Sequence, residues 1–421
     1  MNINSDYSDL KNFYDNTLNK DLSTFVSSND EPTPIDCIEE MIQKIPNNFW
    51  NLQNLKILDP CCGNGNFFIP ILYKLIENFD KKEILEQKLD FNDVNLDRLD
   101  NVKKIFCNDN YKLNISNKDF LKDNFDNKYD LIVANPPYAK IQENGKRASK
   151  IHNLIKSFIE KSLNILKPNG YLLFICPNNW MSLSDSNNII KKMIKLQFIH
   201  IDIHNAKKYF KKIGSSFTWF ILQNKPSIDN FTISCLWKKK IFNDVIKPIT
   251  HNYIPLLYNS LVQGILIKTL EREKVEKFKI ETNSYLHKYT KRQLISSIKD
   301  DLFKYRLIHT PKQTVYSKIP HKLQCGYKIF IPTTDKYIPF IDDCGMTQSI
   351  AYIKCDNLIQ ATKILNILKH PLYIFLNNIC RFGNFNNIRI LQKFPIPCDE
   401  SNIFESFNIS KEEELFILEN I

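Results

Sequence analysis

"LKILDPCCGNGNFFIPILYKLI", residues 55–76, decides how this chain folds. A short apolar run closes on Asp59, Pro60 follows, glycines stand at 63 and 65, and an apolar stretch with helical spacing begins near residue 66. Strand, tight turn and helix in direct succession open a βαβ unit. The whole chain of 421 residues contains nine glycines. Placing two of them within three residues just after a strand implies left-handed backbone or close ligand approach there. The turn is neither GxGxxG nor GxxxxGK[ST], so it gives little support to a bound polyphosphate.

Working outward, "PTPIDCIEEMIQKI" (32–45) reads as a proline-initiated helix upstream of the strand at 55–59 and the helix at 66–77. Downstream come a strand near 90–94, a helix near 97–106, strands in "LNISNKDFL" and "YDLIVANPPY", a helix at 152–167, a strand at 171–176, a helix at 187–195, and strands in "FIHIDI" and "SFTWFILQN". This alternation predicts an α/β fold with a mostly parallel sheet covered on both faces. Ligands then belong beyond the carboxyl ends of the strands. The alternation fades after residue 235, which predicts one domain over 1–235 and a second, mixed domain over 236–421. Within the latter, residues 261–281, 288–306 and 357–369 read as helices.

Hydrophobic residues make up 43% and aromatics 12% of the chain, which argues against general disorder. There is no 18-residue apolar run, and the first twenty residues lack the apolar centre of a secretion signal, so a soluble intracellular protein is expected. The eleven cysteines show neither a disulfide framework nor paired CxxC spacing, and no metal is expected. The net charge of +11 is localised: residues 236–330 hold 19 Lys and Arg against 7 Asp and Glu, a surplus of 12, so the remainder sums to −1. Such a concentration suits a phosphate backbone.

Three aspartates fall at the ends of successive predicted strands: Asp59, Asp93 and Asp119. Parallel strands would bring them to one rim, where carboxylates can accept hydrogen bonds from an amino group, ribose hydroxyls and a base amine, with Phe120 packing on the base. The second feature is "NPPY", 135–138. Asn135 offers a side-chain amide oxygen and Pro136 a carbonyl oriented by the proline that follows it. Two convergent acceptors can hold both hydrogens of a planar NH2 group while Tyr138 stacks on the attached ring. Acceptors so placed localise the nitrogen lone pair for attack on a methyl carbon without a catalytic histidine or metal.

With these motifs in place the chain resembles the gamma-class adenine-N6 DNA methyltransferases of restriction and modification systems. "DPCCGNGNF" is similar to their first cofactor motif and "NPPY" to their catalytic motif. The resemblance implies a Rossmann-like domain for S-adenosylmethionine, followed by a C-terminal target-recognition domain. By that likeness Thr33, Asp59, Pro60, Gly63, Gly65, Asp93, Asp119 and Phe120 would bind cofactor, with Asp109 in "CNDNY" competing with Asp119. Asn135, Pro136 and Tyr138 would act on the amine, and Phe210 would pack on an extruded base opposite Tyr138, strand-core packing being the other reading of that ring. Lys140, Lys146, Arg147 and Lys150 in the loop after NPPY, and Lys291, Arg292, Lys304 and Arg306 downstream, would contact DNA. The implied reaction transfers a methyl group to N6 of a flipped adenine in double-stranded DNA, in a monomer acting in the cytoplasm of a prokaryotic host, with any cognate restriction endonuclease acting separately. An RNA base amino-methyltransferase, a protein-glutamine methyltransferase and a noncatalytic DNA-binding protein are the alternatives.

Overall fold

The computed structural model describes residues 1–21, 31–107, 110–126, 128–138, 154–210 and 216–421. In the first part of the chain, β1 (Ile57–Asp59), β2 (Leu89–Asn92), β3 (Asn114–Ser116), β4 (Tyr129–Ala134), β5 (Leu166–Pro177), β6 (Leu196–Ile203), β7 (Phe217–Pro226), β8 (Phe231–Trp237) and β9 (Lys240–Ile246) form one nine-stranded sheet. Its order is β3-β2-β1-β4-β5-β7-β6-β8-β9. The first five strands are mutually parallel: Ile57 of β1 sits beside both Leu89 and Leu131, and Leu131 pairs with Tyr171. β7 runs antiparallel between β5 and β6. β6 therefore points the same way as β5, and β8, parallel to β6, does too.

Among the described residues seven α-helices accompany the sheet: α1 (Tyr7–Asn16), α2 (Ile35–Ile42), α3 (Phe68–Ile76), the short α4 (Lys81–Glu83), α5 (Leu96–Val102), α6 (Leu154–Ile165) and α7 (Asn188–Met193). β1 is buried on both faces, as a central parallel strand must be. α3 buries Phe68, Ile69, Ile71, Leu72 and Leu75, so it is apolar almost all round. α5 starts where the sequence supplies a cap: the Asn95 side chain accepts from the amides of Asp97 at 3.0 Å and Arg98 at 3.4 Å. The helix expected from residue 32 begins instead at Ile35. The prolines at 32 and 34 keep the preceding residues extended, and this short strap becomes part of the site.

The chain divides into two compact units, Met1–Trp180 with Asn187–Asn252, and Met181–Ser186 with Tyr253–Ile421. The expected division at 235/236 falls short of this one because the β8–β9 hairpin extends the first sheet. The second unit contains two four-stranded sheets. One has the order β10 (Glu281–Thr282), β17 (Ile350–Lys354), β14 (Lys328–Pro332), β15 (Phe340–Asp342). The other has β11 (Ile295–Ser296), β13 (Gln313–Ser317), β12 (Tyr305–Thr310), β16 (Gly345–Met346). Helices α8 (Ser260–Lys268), α9 (Leu358–Leu368), α10 (Pro371–Ile379), α11 (Ile388–Leu391), α12 (Ile403–Ser406) and α13 (Lys411–Asn420) complete it.

The helix expected at 357–369 is α9, capped by Asn357. The other two expected helices are corrected. Only 260–268 of the first is α-helical; Lys274 then takes a left-handed φ of 55°, and Phe278 donates its amide to the Phe394 carbonyl. Residues 288–306 hold one 3-10 turn at Arg292–Leu294 between extended segments, because β11 and β12 both pair with β13. Charged residues with good helix propensity were overruled by long-range strand pairing in both places.

Candidate active site

The turn after β1 closes with Gly63 at φ 55° and Gly65 at φ 83°. Gly65 has a second reason to be glycine: a Cβ there would stand 2.7 Å from the buried Phe106 ring. The turn is held by the neighbouring strand. Gly63 donates its amide to Asp93 Oδ2 at 2.8 Å, and Cys62 donates to the Asn92 carbonyl at 2.8 Å. Asp93 also accepts from the Asn95 amide at 2.9 Å and is only 5% exposed. Part of its capacity thus fixes the glycine turn, a role that spacing alone did not reveal.

Asn92, fully buried, joins three strand ends. Its Nδ2 donates to the carbonyls of Pro60 at 2.9 Å and Lys118 at 3.0 Å, while its Oδ1 accepts from Ser116 Oγ at 2.7 Å and from the Lys118 amide at 3.1 Å. These contacts set the positions of the Asp59-Pro60 and Lys118-Asp119 segments relative to each other. Asn92 was missed by sequence reasoning, since an asparagine closing a strand carries no distinguishing mark.

Asp59 is buried, and burial pushes its carboxyl well above the usual carboxylate range, with nearby Asp93 adding to the rise against the hydrogen bond from the Cys61 amide. Asp119 differs: the Lys122 ammonium, 2.8 Å away, holds its carboxyl below the usual range. Beside it Phe120 packs between Phe125 and Phe158, with ring centroids 5.1 and 5.3 Å away.

The strap before α2 meets the end of β4. Asn135 Nδ2 donates to the Glu31 carbonyl at 2.9 Å and to Thr33 Oγ1 at 3.1 Å, and Asn66 Nδ2 donates to the Thr33 carbonyl at 2.9 Å. A backbone carbonyl can only accept, so these contacts fix which end of the Asn135 amide is which. Its Oδ1 faces Tyr138, whose hydroxyl donates to it at 2.6 Å. The turn carbonyl of Asn64 is secured from the far side by the buried Tyr14 hydroxyl at 2.8 Å.

The site opens on one cavity of about 1230 Å³. Thr33, Asp59, Pro60, Gly63, Asp93, Asp119, Phe120, Asn135, Pro136 and Tyr138 line it together, joined by Asn66 and Phe158. Gly65 and Phe210 are not part of this lining. Phe210 is 1% exposed and stacked on Phe217 at 4.9 Å, and Phe217 in turn lies 5.9 Å from Tyr138. Of its two sequence readings, the ring adopts core packing in this structure. Lys140, Lys146, Arg147, Lys150 and Asp109 lie outside the described residues.

In the second unit Lys291 donates to the Tyr285 carbonyl at 2.7 Å, Arg292 and Lys304 are exposed, and Arg306 is paired with Asp342. Among the described residues no set of three His, Cys, Asp or Glu side chains is placed to hold a metal ion, and no helix is long and apolar enough to cross a membrane.

The chain is 27% identical over 203 residues to the modification methylase CviBIII of Paramecium bursaria Chlorella virus NC1A, covering 46% of this chain and 50% of that one. It is also 27% identical over 216 residues to the type II methyltransferase M.HincII of Haemophilus influenzae, covering 48% and 38%. The chain thus spans half or less of the length of these relatives. Among solved structures, the DrdV–DNA complex matches 99% of this chain and 60% of its own with a TM-score of 0.56 at 12% identity. The Type ISP restriction-modification enzyme LlaBIII matches 96% and 40% with a TM-score of 0.52 at 12% identity. Those two likenesses concern the fold. A family model, the Eco57I restriction-modification methylase, matches residues 22–210, the stretch that carries both the glycine turn and NPPY.

Proposed function

We propose that this chain is a site-specific DNA methyltransferase that moves a methyl group from S-adenosylmethionine to N6 of an adenine extruded from double-stranded DNA. The observation that carries the reading is the locked Asn135 amide, whose oxygen faces Tyr138 in the same cavity as the glycine turn and the three aspartates. The cavity wall fits the cofactor. Asp59 and Asp93 suit an ammonium and a ribose diol, Phe120 and Phe158 suit an adenine ring, and a polyphosphate would meet carboxylates. When bound, the cofactor supplies an electrophilic methyl group on its sulfonium.

The protein's part is positioning. Asn135 Oδ1 accepts one hydrogen of the target amine, sharing or replacing the present bond from Tyr138, and the Pro136 carbonyl accepts the other. The Tyr138 ring stacks on the base. Removing solvent from the amine and presenting its lone pair in line with the methyl carbon lowers the orientation cost; the surplus proton leaves the nitrogen for solvent after transfer. Arg292 and Lys304 of the second unit are phosphate-contact candidates, consistent with a target-recognition role for residues 253–421. Lys291 and Arg306 already have partners within the unit, which they would have to share. The reading also places the protein as a monomer in the cytoplasm of a prokaryotic host, with any cognate endonuclease on a separate chain.

The test is incubation with unmethylated duplex DNA and labelled cofactor, followed by base-resolution mapping, with duplex RNA as competitor. Methyl label on N6 of adenine at one sequence is the expected result. Asn135→Ala should lower transfer by about 10²-fold or more while retaining cofactor binding by calorimetry. Transfer persisting near the wild-type rate in this variant would refute the assignment, and label on RNA alone would redirect it.

A further inference from the structure

The β8–β9 hairpin turns on Lys238 and Lys239, with φ of 45° and 70°. Two successive left-handed residues make the mirror-image turn that favours Asn-Gly, and lysine is a poor choice for it on conformational grounds. Lys240 follows directly, and all three lysines are exposed. Of the basic surplus in residues 236–330, Lys238, Lys239, Lys240 and Lys247 belong to the first unit, where Asp244 is the only acidic residue within 236–252.

Strand direction fixes where this tip stands. β4 and β5 are parallel, β7 reverses, β6 reverses again, and β8 is parallel to β6. The carboxyl end of β8, where the lysines sit, is therefore on the same rim as the carboxyl end of β4, where Asn135 sits. Four strand spacings separate β4 from β8 in the sheet order, or about 19 Å at about 4.8 Å each. That is the step across the sheet; the register places Ala134 level with Ile233, so the tip at Lys238 also stands five residues further along β8, about 17 Å at about 3.3 Å each. Lys207, in the short turn after β6, lies on the rim between them.

We infer that the Lys238–Lys240 hairpin tip is a phosphate-backbone contact of the catalytic unit, gripping duplex DNA to one side of the extruded base. The proposal rests on the duplex-DNA reading above. It gives the strained lysine turn a use: ammonium groups, which carry no sequence information, add binding and orient the duplex along the rim.

The test is the double variant Lys238→Asn with Lys239→Gly. Asn-Gly is the preferred pair for this turn, so the hairpin is retained while two charges are removed. Lys240→Gln serves as a second, single-charge variant outside the turn. Duplex binding is measured from 50 to 300 mM salt. The log–log salt slope is expected to become shallower by about 2 for the double variant and about 1 for the single, with cofactor affinity unchanged. A wild-type protein that binds duplex with the same slope as both variants would overturn the hairpin contact alone. A wild-type protein that fails to bind duplex even at low salt would overturn the DNA reading and this proposal together.

Discussion

Replacing Asn92 by leucine tests whether the three strand ends are held by one amide. The side chain is fully buried and makes four hydrogen bonds, two as donor and two as acceptor. Leucine has the same branching and number of side-chain heavy atoms but is bulkier and satisfies none of them, leaving the Pro60 and Lys118 carbonyls, the Lys118 amide and the Ser116 hydroxyl to find other partners. Each lost bond is worth about 1 kcal/mol net, with a further 1–3 kcal/mol where a buried group stays unpaired. Partial relaxation toward the cavity reduces the sum, so the predicted loss is about 4 kcal/mol. Urea denaturation followed by tryptophan fluorescence isolates the effect, because all four tryptophans, Trp50, Trp180, Trp219 and Trp237, lie in the first unit. The amide also positions Pro60 and Asp119, so cofactor affinity should fall at denaturant concentrations where the unit remains folded. A loss below about 1 kcal/mol with unchanged cofactor binding would show that the strand ends hold their places without Asn92.

Three further outcomes follow from the same contacts. Gly65→Ala should lower stability by about 3 kcal/mol, combining left-handed strain with overpacking against Phe106, and thermal melting of the variant checks it. Binding of a ligand ammonium beside Asp59, whose carboxyl is raised by burial, should release a proton, so calorimetry of cofactor binding in buffers of different ionisation enthalpy should show release and an affinity that increases with pH. Burial raises the Asp202 carboxyl to about 7; its folded form binds a proton that the unfolded chain gives up near pH 4, so its contribution is full below that and is lost as pH rises toward 7. Asp202→Asn should therefore reduce the fall in stability between pH 5 and 7 by on the order of 2–3 kcal/mol, read by the same tryptophan-monitored denaturation.

Much of the first sheet was legible because its signals are local. β1, the glycine turn and α3 occupy one continuous stretch, and the apolar runs at β4 and β5 each end where a polar or proline residue stops them. The same locality explains the failures. "EREKVEKFKI" has the composition of a helix, but Phe278 and Ile280 are committed to a contact near Phe394, more than a hundred residues away. Nothing within a helical window announces such a partner. Likewise β9 looks like the start of a new region when charge is plotted along the chain, although its pairing with β8 makes it the edge of the first sheet. Phe210 could serve as base platform or core from sequence, and only the parallel ring of Phe217 decides what it touches.

The NPPY stretch shows the limit most clearly. "NPPY" names an amide, a carbonyl and a ring, but an asparagine amide can present either its oxygen or its nitrogen to a substrate amine, with opposite consequences. Four consecutive residues cannot settle that choice. It is made by the carbonyl of Glu31 and the hydroxyl of Thr33, about a hundred positions upstream, which engage the nitrogen end and leave the oxygen toward Tyr138. The strap can do this because its prolines keep it extended until Ile35 and Asn66 ties the Thr33 carbonyl to the glycine turn. The glycine turn and the NPPY turn are thus mechanically joined through one short segment. A substitution at Thr33 should disturb amine orientation even where it leaves the methyl donor bound.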